Sequence, residues 1–136
     1  MLKKTITYTD YDGNVRTEDH YFNLTKAELM EMQMSVDGGM NKFLNKIIAE
    51  QDNVKLMQYF KQIILKSYGI KSDDGKRFIK SPEISEAFSQ TGAYDELFME
   101  LMSGGEQVVA AFTNGIIPAD LQTDIAKMKD SYIHPV

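Results

Sequence analysis

The chain has 136 residues, enough for one ordinary domain with a core of its own and too few for a separate catalytic domain. Its hydrophobic share of 43% and charged share of 26% are those of a globular protein and exclude a disordered one. A net charge of −5 disfavours nucleic acid as a partner, and the absence of cysteine excludes disulfides, thiolate nucleophiles and Cys-based zinc sites.

The first segment alternates, with Ile6 and Tyr8 on one side and Thr5, Thr7 and Thr9 on the other. The turn cluster Asp10 to Asn14 and a β-forming run from Val15 to Phe22 follow, which predicts a β-hairpin around Asp12-Gly13. A lone hairpin is marginal in water, so it should pack on helices or pair with another strand. Asp10, Asp12 and Asn14 have a calcium-loop-like spacing. Gly13 is misplaced for such a loop, and no closing glutamate follows.

Beyond the hairpin the period changes. Thr25-Lys26-Ala27-Glu28 has capping-box spacing and predicts a helix from Lys26 to Val36. Asp37-Gly38-Gly39 breaks it. Met40, Phe43, Leu44, Ile47 and Ile48 then follow helical spacing. Asp52 or Asn53 caps a further helix whose apolar face is Leu56, Met57, Phe60, Ile63, Ile64 and Tyr68, with Gly69 as the expected C-cap. Residues 71–76 read as a polar turn. Ser81-Pro82-Glu83 starts another helix, Thr91-Gly92 interrupts it, and Tyr94 to Met102 form a further stripe. Ser103-Gly104-Gly105-Glu106 has capping-box spacing before Val108 to Phe112, and Asn114-Gly115 with Pro118 closes that element.

The expected fold is therefore α+β, mostly α: an N-terminal β-hairpin followed by a bundle of five to six short helices. Residues 1–118 form a single domain, with the hairpin at 1–23 and helices at 24–118. Residues 119–136 are a tail that carries Leu121, Ile125 and Met128 at helical spacing and docks loosely.

Motifs for chemistry fail one by one. The two histidines, His20 and His134, have no spacing that joins them to a carboxylate. The Gly69 to Arg77 segment misses a phosphate loop, because five residues separate its glycines and Arg77 stands where Ser or Thr is needed. Glu83, Glu86, Glu96 and Glu100 fall on expected solvent-facing helix positions. The chain thus reads as a binder and not an enzyme, with no cofactor and no metal. No run approaches the ~18 apolar residues of a membrane span, and MLKKTITYTD lacks a signal-peptide core, so the expected setting is intracellular, with no membrane partner.

Two features point to a partner. Six lysines lie between Met40 and Lys71 against Glu50 and Asp52, whereas residues 72–106 carry eight acids against Lys76, Arg77 and Lys80. Such polarity reads either as solvated helix faces of opposite sign or as a surface that orients a partner or a second copy. There are also nine methionines, and Met30, Met32 and Met34 alternate through the first helix. Methionines either fill a core or line a groove that accepts varied apolar partners, and from a helix not all three can face one core. Leu29, Met30, Met34, Met40 and Phe43 are the expected partner-binding residues.

Three strings carry a family resemblance: YFNLTKAELMEM (21–32), QIILKSYGIKSDDGKRFIKS (62–81) and EISEAFSQTGAYDELFMEL (83–101). They resemble tail assembly chaperones of long-tailed phages, or prophages, of Gram-positive bacteria, over a stretch from the hairpin to about Pro118. The resemblance implies a protein of the host cytoplasm that binds the tape measure protein, keeps it soluble during tail assembly and is absent from the mature virion. It also implies a longer, frameshifted form that recruits tail-tube protein. The competing expectation is a minor tail or head–tail connector protein retained in the particle.

Overall fold

The computed structural model describes residues 1–35, 46 and 49–118, and every structural statement concerns these. Strand β1 (Leu2–Thr9) pairs antiparallel with β2 (Val15–Phe22) along its whole length, from Leu2 opposite Phe22 to Thr9 opposite Val15. The turn works because Gly13 takes the left-handed conformation (φ 85°) and Asp10 gathers the loop around its carboxylate. Asp10 Oδ1 accepts from the backbone N–H of Asp12 (3.0 Å) and Asn14 (2.9 Å), and Oδ2 takes Arg16 Nε at 2.6 Å. The three polar residues of the loop therefore organise a turn.

Alternation then sorts the two faces of the hairpin. Leu2, Ile6, Tyr8 and Phe22 turn inward to the core. On the outer face, Thr7 pairs with Thr17 (Oγ1 to Oγ1, 3.0 Å) and Thr5 Oγ1 donates to Asp19 Oδ1 (2.6 Å). The outer face is thus hydrogen-bonded and solvated.

The helices are α1 (Lys26–Met34), α2 (Asn53–Ser67), α3 (Pro82–Ser89), α4 (Gly92–Ser103) and α5 (Gly105–Ile116). Thr25, Asp52, Ser81 and Thr91 cap the first four through side-chain oxygens; the first three stand where the sequence places caps, whereas Thr91, expected only to interrupt a helix, also starts one. The fifth differs. Ser103 does not cap α5; its hydroxyl donates back to Met99 O (2.6 Å) and ends α4, and Gly104 stands at the N-cap without a side-chain bond. Helix α1 ends at Met34 with Ser35 as its C-cap, and Val36 lies outside the described residues.

The larger correction concerns Gly69. The chain does not end α2 on a glycine cap but passes from Ser67 straight into β3 (Tyr68–Lys71), which pairs with β2 through Tyr21–Gly69 and Phe22–Tyr68. Strand β4 (Phe78–Ile79) closes a four-stranded sheet of order β1-β2-β3-β4. A Cβ on Gly69 would stand 2.7 Å from the Phe78 ring, so the strand needs glycine for that close approach. Residues 24–118 accordingly contain two strands as well as helices, and the helices pack on one face of a sheet. The hairpin finds both kinds of support at once.

The core sits between sheet and helices. Phe22 is fully buried, and its ring lies within 5.8 Å of the Tyr68, Phe88 and Phe112 rings. Tyr68 stacks flat on Phe88 at 4.0 Å. Asn23 and Leu24 thread between helix ends: Asn23 N donates to Ser67 O and Leu24 N to Ile116 O, both at 2.7 Å. These bonds satisfy terminal carbonyls that α2 and α5 would otherwise leave open.

Candidate interaction surface

Among the described residues, the candidate chemical groups do not assemble into a site. His20 faces inward from β2, its ring 5.4 Å from Phe88 and 6.3 Å from Tyr68. Its Nε2 is buried without a hydrogen bond, 4.0 Å from Glu18 Oε1. Burial pulls the His20 pKa down, against the opposing pull of Glu18 and Asp19, so the ring is a neutral member of an aromatic layer. His134 lies outside the described residues. Glu83, Glu86 and Glu96 are solvent-exposed, while Glu100 accepts from Lys4 Nζ at 2.9 Å. Among the described residues no three His, Asp or Glu side chains converge as metal ligands. The Gly69–Arg77 segment is the β3–β4 hairpin, whose turn is held by Ser72 and Asp74: Ser72 Oγ donates to Asp74 Oδ1 (2.7 Å), and Lys76 N to the same oxygen (3.0 Å).

The methionine helix presents a surface instead. Residues two apart on a helix are separated by about 200°, so alternating methionines must point to opposite sides. Met32 is buried, whereas Met30 is 65% and Met34 82% exposed. Met30 and Met34, one turn apart, share the outer face with Ala27 and Glu31. Leu29 is half-buried against the core and, with Met32, anchors the helix from beneath. Met40 and Phe43 lie outside the described residues.

Polar contacts also hold α1 in place. Glu28 closes the capping box, with its Oε1 accepting from Thr25 N (2.9 Å) while Thr25 Oγ1 accepts from Glu28 N (3.1 Å). Its other oxygen accepts from Lys80 Nζ at 2.7 Å, and Lys80 also donates to Asn23 O at 2.7 Å. The exposed methionines are therefore mounted on a fastened helix.

Lys80 also borders a second feature. A groove of about 650 Å³ runs between α2 and the first turn of α3. Ser85 Oγ donates to Leu65 O (3.1 Å) across its base, and Ser81 Oγ accepts from Ile84 N (3.1 Å) at the start of α3. Its α2 wall was not legible in advance as a site. The lysines there belong to the basic 40–71 stretch, but only the placement of α3 makes a groove of them.

The whole-chain comparison decides the family. A family model described as phage tail assembly chaperone matches residues 1–134. The chain belongs to the phage tail assembly chaperone family. The match continues well past Pro118, where the resemblance in the sequence stops, and takes in most of the 119–136 segment. No curated protein and no solved structure matches the chain. A tail assembly chaperone works through contacts with tail proteins, and the described surface offers apolar and charged faces for such contacts. No helix among the described residues is long and apolar enough to cross a membrane.

Proposed function

We propose that this tail assembly chaperone binds the tape measure protein through the outer face of α1 and keeps it soluble until tail-tube subunits enclose it. The observation that carries the reading is the pair Met30 and Met34, large apolar side chains held out to solvent on a helix whose inner face is fixed. An exposed apolar stripe of this kind suits the stripe of a long amphipathic helix, and flexible thioethers adapt to its varied side chains. Leu29 borders the stripe, and Met40 and Phe43, which lie outside the described residues, are the further contacts this reading expects. The action is stoichiometric binding and needs no catalytic group. Modest affinity per copy, multiplied over several copies on one long chain, allows both protection and release.

On this reading the protein acts in the cytoplasm of a Gram-positive host during assembly of a long, non-contractile tail and leaves before the particle is complete. A frameshifted longer form would add the contact with tail-tube protein. Co-expression with the cognate tape measure protein tests the proposal. A soluble complex that co-purifies is expected; an insoluble tape measure protein with no co-purification overturns it. Mass spectrometry of purified particles separates the chaperone from a retained tail component, since a chaperone is missing from the virion.

A further inference from the structure

The groove between α2 and α3 has a shape and a charge that the methionine face lacks. Helix α2 supplies one wall through Lys61, Gln62, Leu65 and Lys66, which recur at helical spacing and so form a single stripe. From Gln58 to Lys66 that stripe runs about 12 Å, roughly two helical turns. Pro82 and Ser85 of α3 form the opposite wall. A trough between two helices is the shape into which a third helix packs, and its volume lies within the ~300–1,000 Å³ range of ligand clefts.

The charge is local and one-sided. Helix α2 contains Lys55, Lys61 and Lys66 and no acid, in a chain of net charge −5. Lys55 leans on Asp52 (3.9 Å) and Lys80 is bound to Glu28, but Lys61 and Lys66 have no ion-pair partner among the described residues. Two cations without partners thus flank a floor made by Leu65, Pro82 and the lysine stems. The lining contains no aromatic residue and no arginine, the groups on which nucleic-acid bases stack. The walls are also fixed to each other by the Ser85–Leu65 bond, so little ordering is needed on binding.

We propose that the α2–α3 groove receives an acidic amphipathic helix of the partner, with carboxylates on Lys61 and Lys66 and apolar side chains over Leu65 and Pro82. This rests on the chaperone reading and adds to it the chemistry of the bound segment. Acidic flanks would be repelled by most of this surface and tolerated at the groove, which sets where along a long partner each copy sits.

Fluorescence anisotropy with synthetic labelled peptides tests the proposal without the tape measure protein, so its outcome is independent of the co-expression result. The probes are a three-turn helical peptide with a leucine stripe flanked by glutamates, its sequence-scrambled form, its Glu→Lys form and a single-stranded oligonucleotide of equal charge. The acidic amphipathic peptide should bind the wild-type chain at least ~10-fold more tightly than the other three, with affinity falling as salt rises. The double variant Lys61→Glu/Lys66→Glu, whose positions are exposed, should lose at least ~10-fold for the acidic peptide and gain affinity for the lysine form, with its thermal midpoint unchanged. Equal binding of the scrambled peptide or the oligonucleotide overturns the proposal, as does acidic-peptide binding that ignores the charge swap. Self-association of the wild-type chain that the double variant abolishes would assign the groove to a second copy and equally overturn it.

Discussion

Glu28 and Lys80, 52 positions apart in the chain, meet at 2.7 Å, and the same carboxylate closes the capping box of α1. One side chain therefore starts the helix and fastens it to the segment between β4 and α3. Both partners are about a fifth to a third exposed, so solvent screens the pair and the cap contributes a comparable share. Replacing Glu28 with alanine should cost about 1–2 kcal/mol in a urea titration, and a double-mutant cycle with Lys80→Ala should return roughly 1 kcal/mol or less of coupling.

The same pair responds to acid. Burial pushes the Glu28 carboxyl up, but the hydrogen bonds from Lys80 and Thr25 and the Lys80 charge together hold it below its ordinary value. A carboxyl depressed by folding adds stability that is complete above the unfolded value of about 4.5 and is lost as pH falls through the lower folded value. Glu28→Gln should therefore flatten the loss of stability in that acidic range. Thermal melts between pH 5 and 3 would show it.

His20 behaves in the opposite manner and over a different range. Burial favours its neutral ring beside Tyr68 and Phe88, while Glu18 and Asp19 on its own strand draw the other way. Because the folded state resists the proton, the unfolded chain takes it first, and stability declines as pH falls below about 6.5. His20→Phe should remove that decline between pH 7 and 5.5 while leaving the glutamate-dependent loss at lower pH. Persistence of the upper decline in the variant would assign it to another group.

Gly69 offers a steric test of the sheet. An alanine Cβ would meet the Phe78 ring at 2.7 Å and Ile79 O at 3.0 Å, and only the ring can move aside. Gly69→Ala should cost about 1–3 kcal/mol, read as a lower urea midpoint.

The hairpin and the starts of the first three helices were legible because they depend on neighbours in sequence. Asp10 gathers the turn in which Gly13 takes the left-handed position, and Thr25, Asp52 and Ser81 each cap residues within three positions. Strand β3 was not, because Tyr68 to Lys71 is too short to show a period and gains its structure from β2, some 47 positions away. Gly69 after a helical stripe looks like a cap; the decisive fact, the Phe78 ring above it, is tertiary. Ser103 misled for a related reason, since its hydroxyl had two nearby backbone groups to choose from and took Met99 O. Among the proposed contact residues, the opposed faces of Met30 and Met32 followed from helix geometry alone, whereas the half-burial of Leu29 depended on what packs beneath α1.

The outer face of α1 is the surface on which the proposed function depends, and paired methionine substitutions test it. Met30→Glu/Met34→Glu changes two exposed positions, whereas Met32→Glu buries a charge in the core. The double variant should keep the wild-type melting temperature within a degree or two and bind the cognate tape measure protein at least ~10-fold more weakly, about 1.4 kcal/mol. Met32→Glu should unfold the domain. Unchanged tape measure affinity in a folded Met30→Glu/Met34→Glu protein would contradict the assignment of that face.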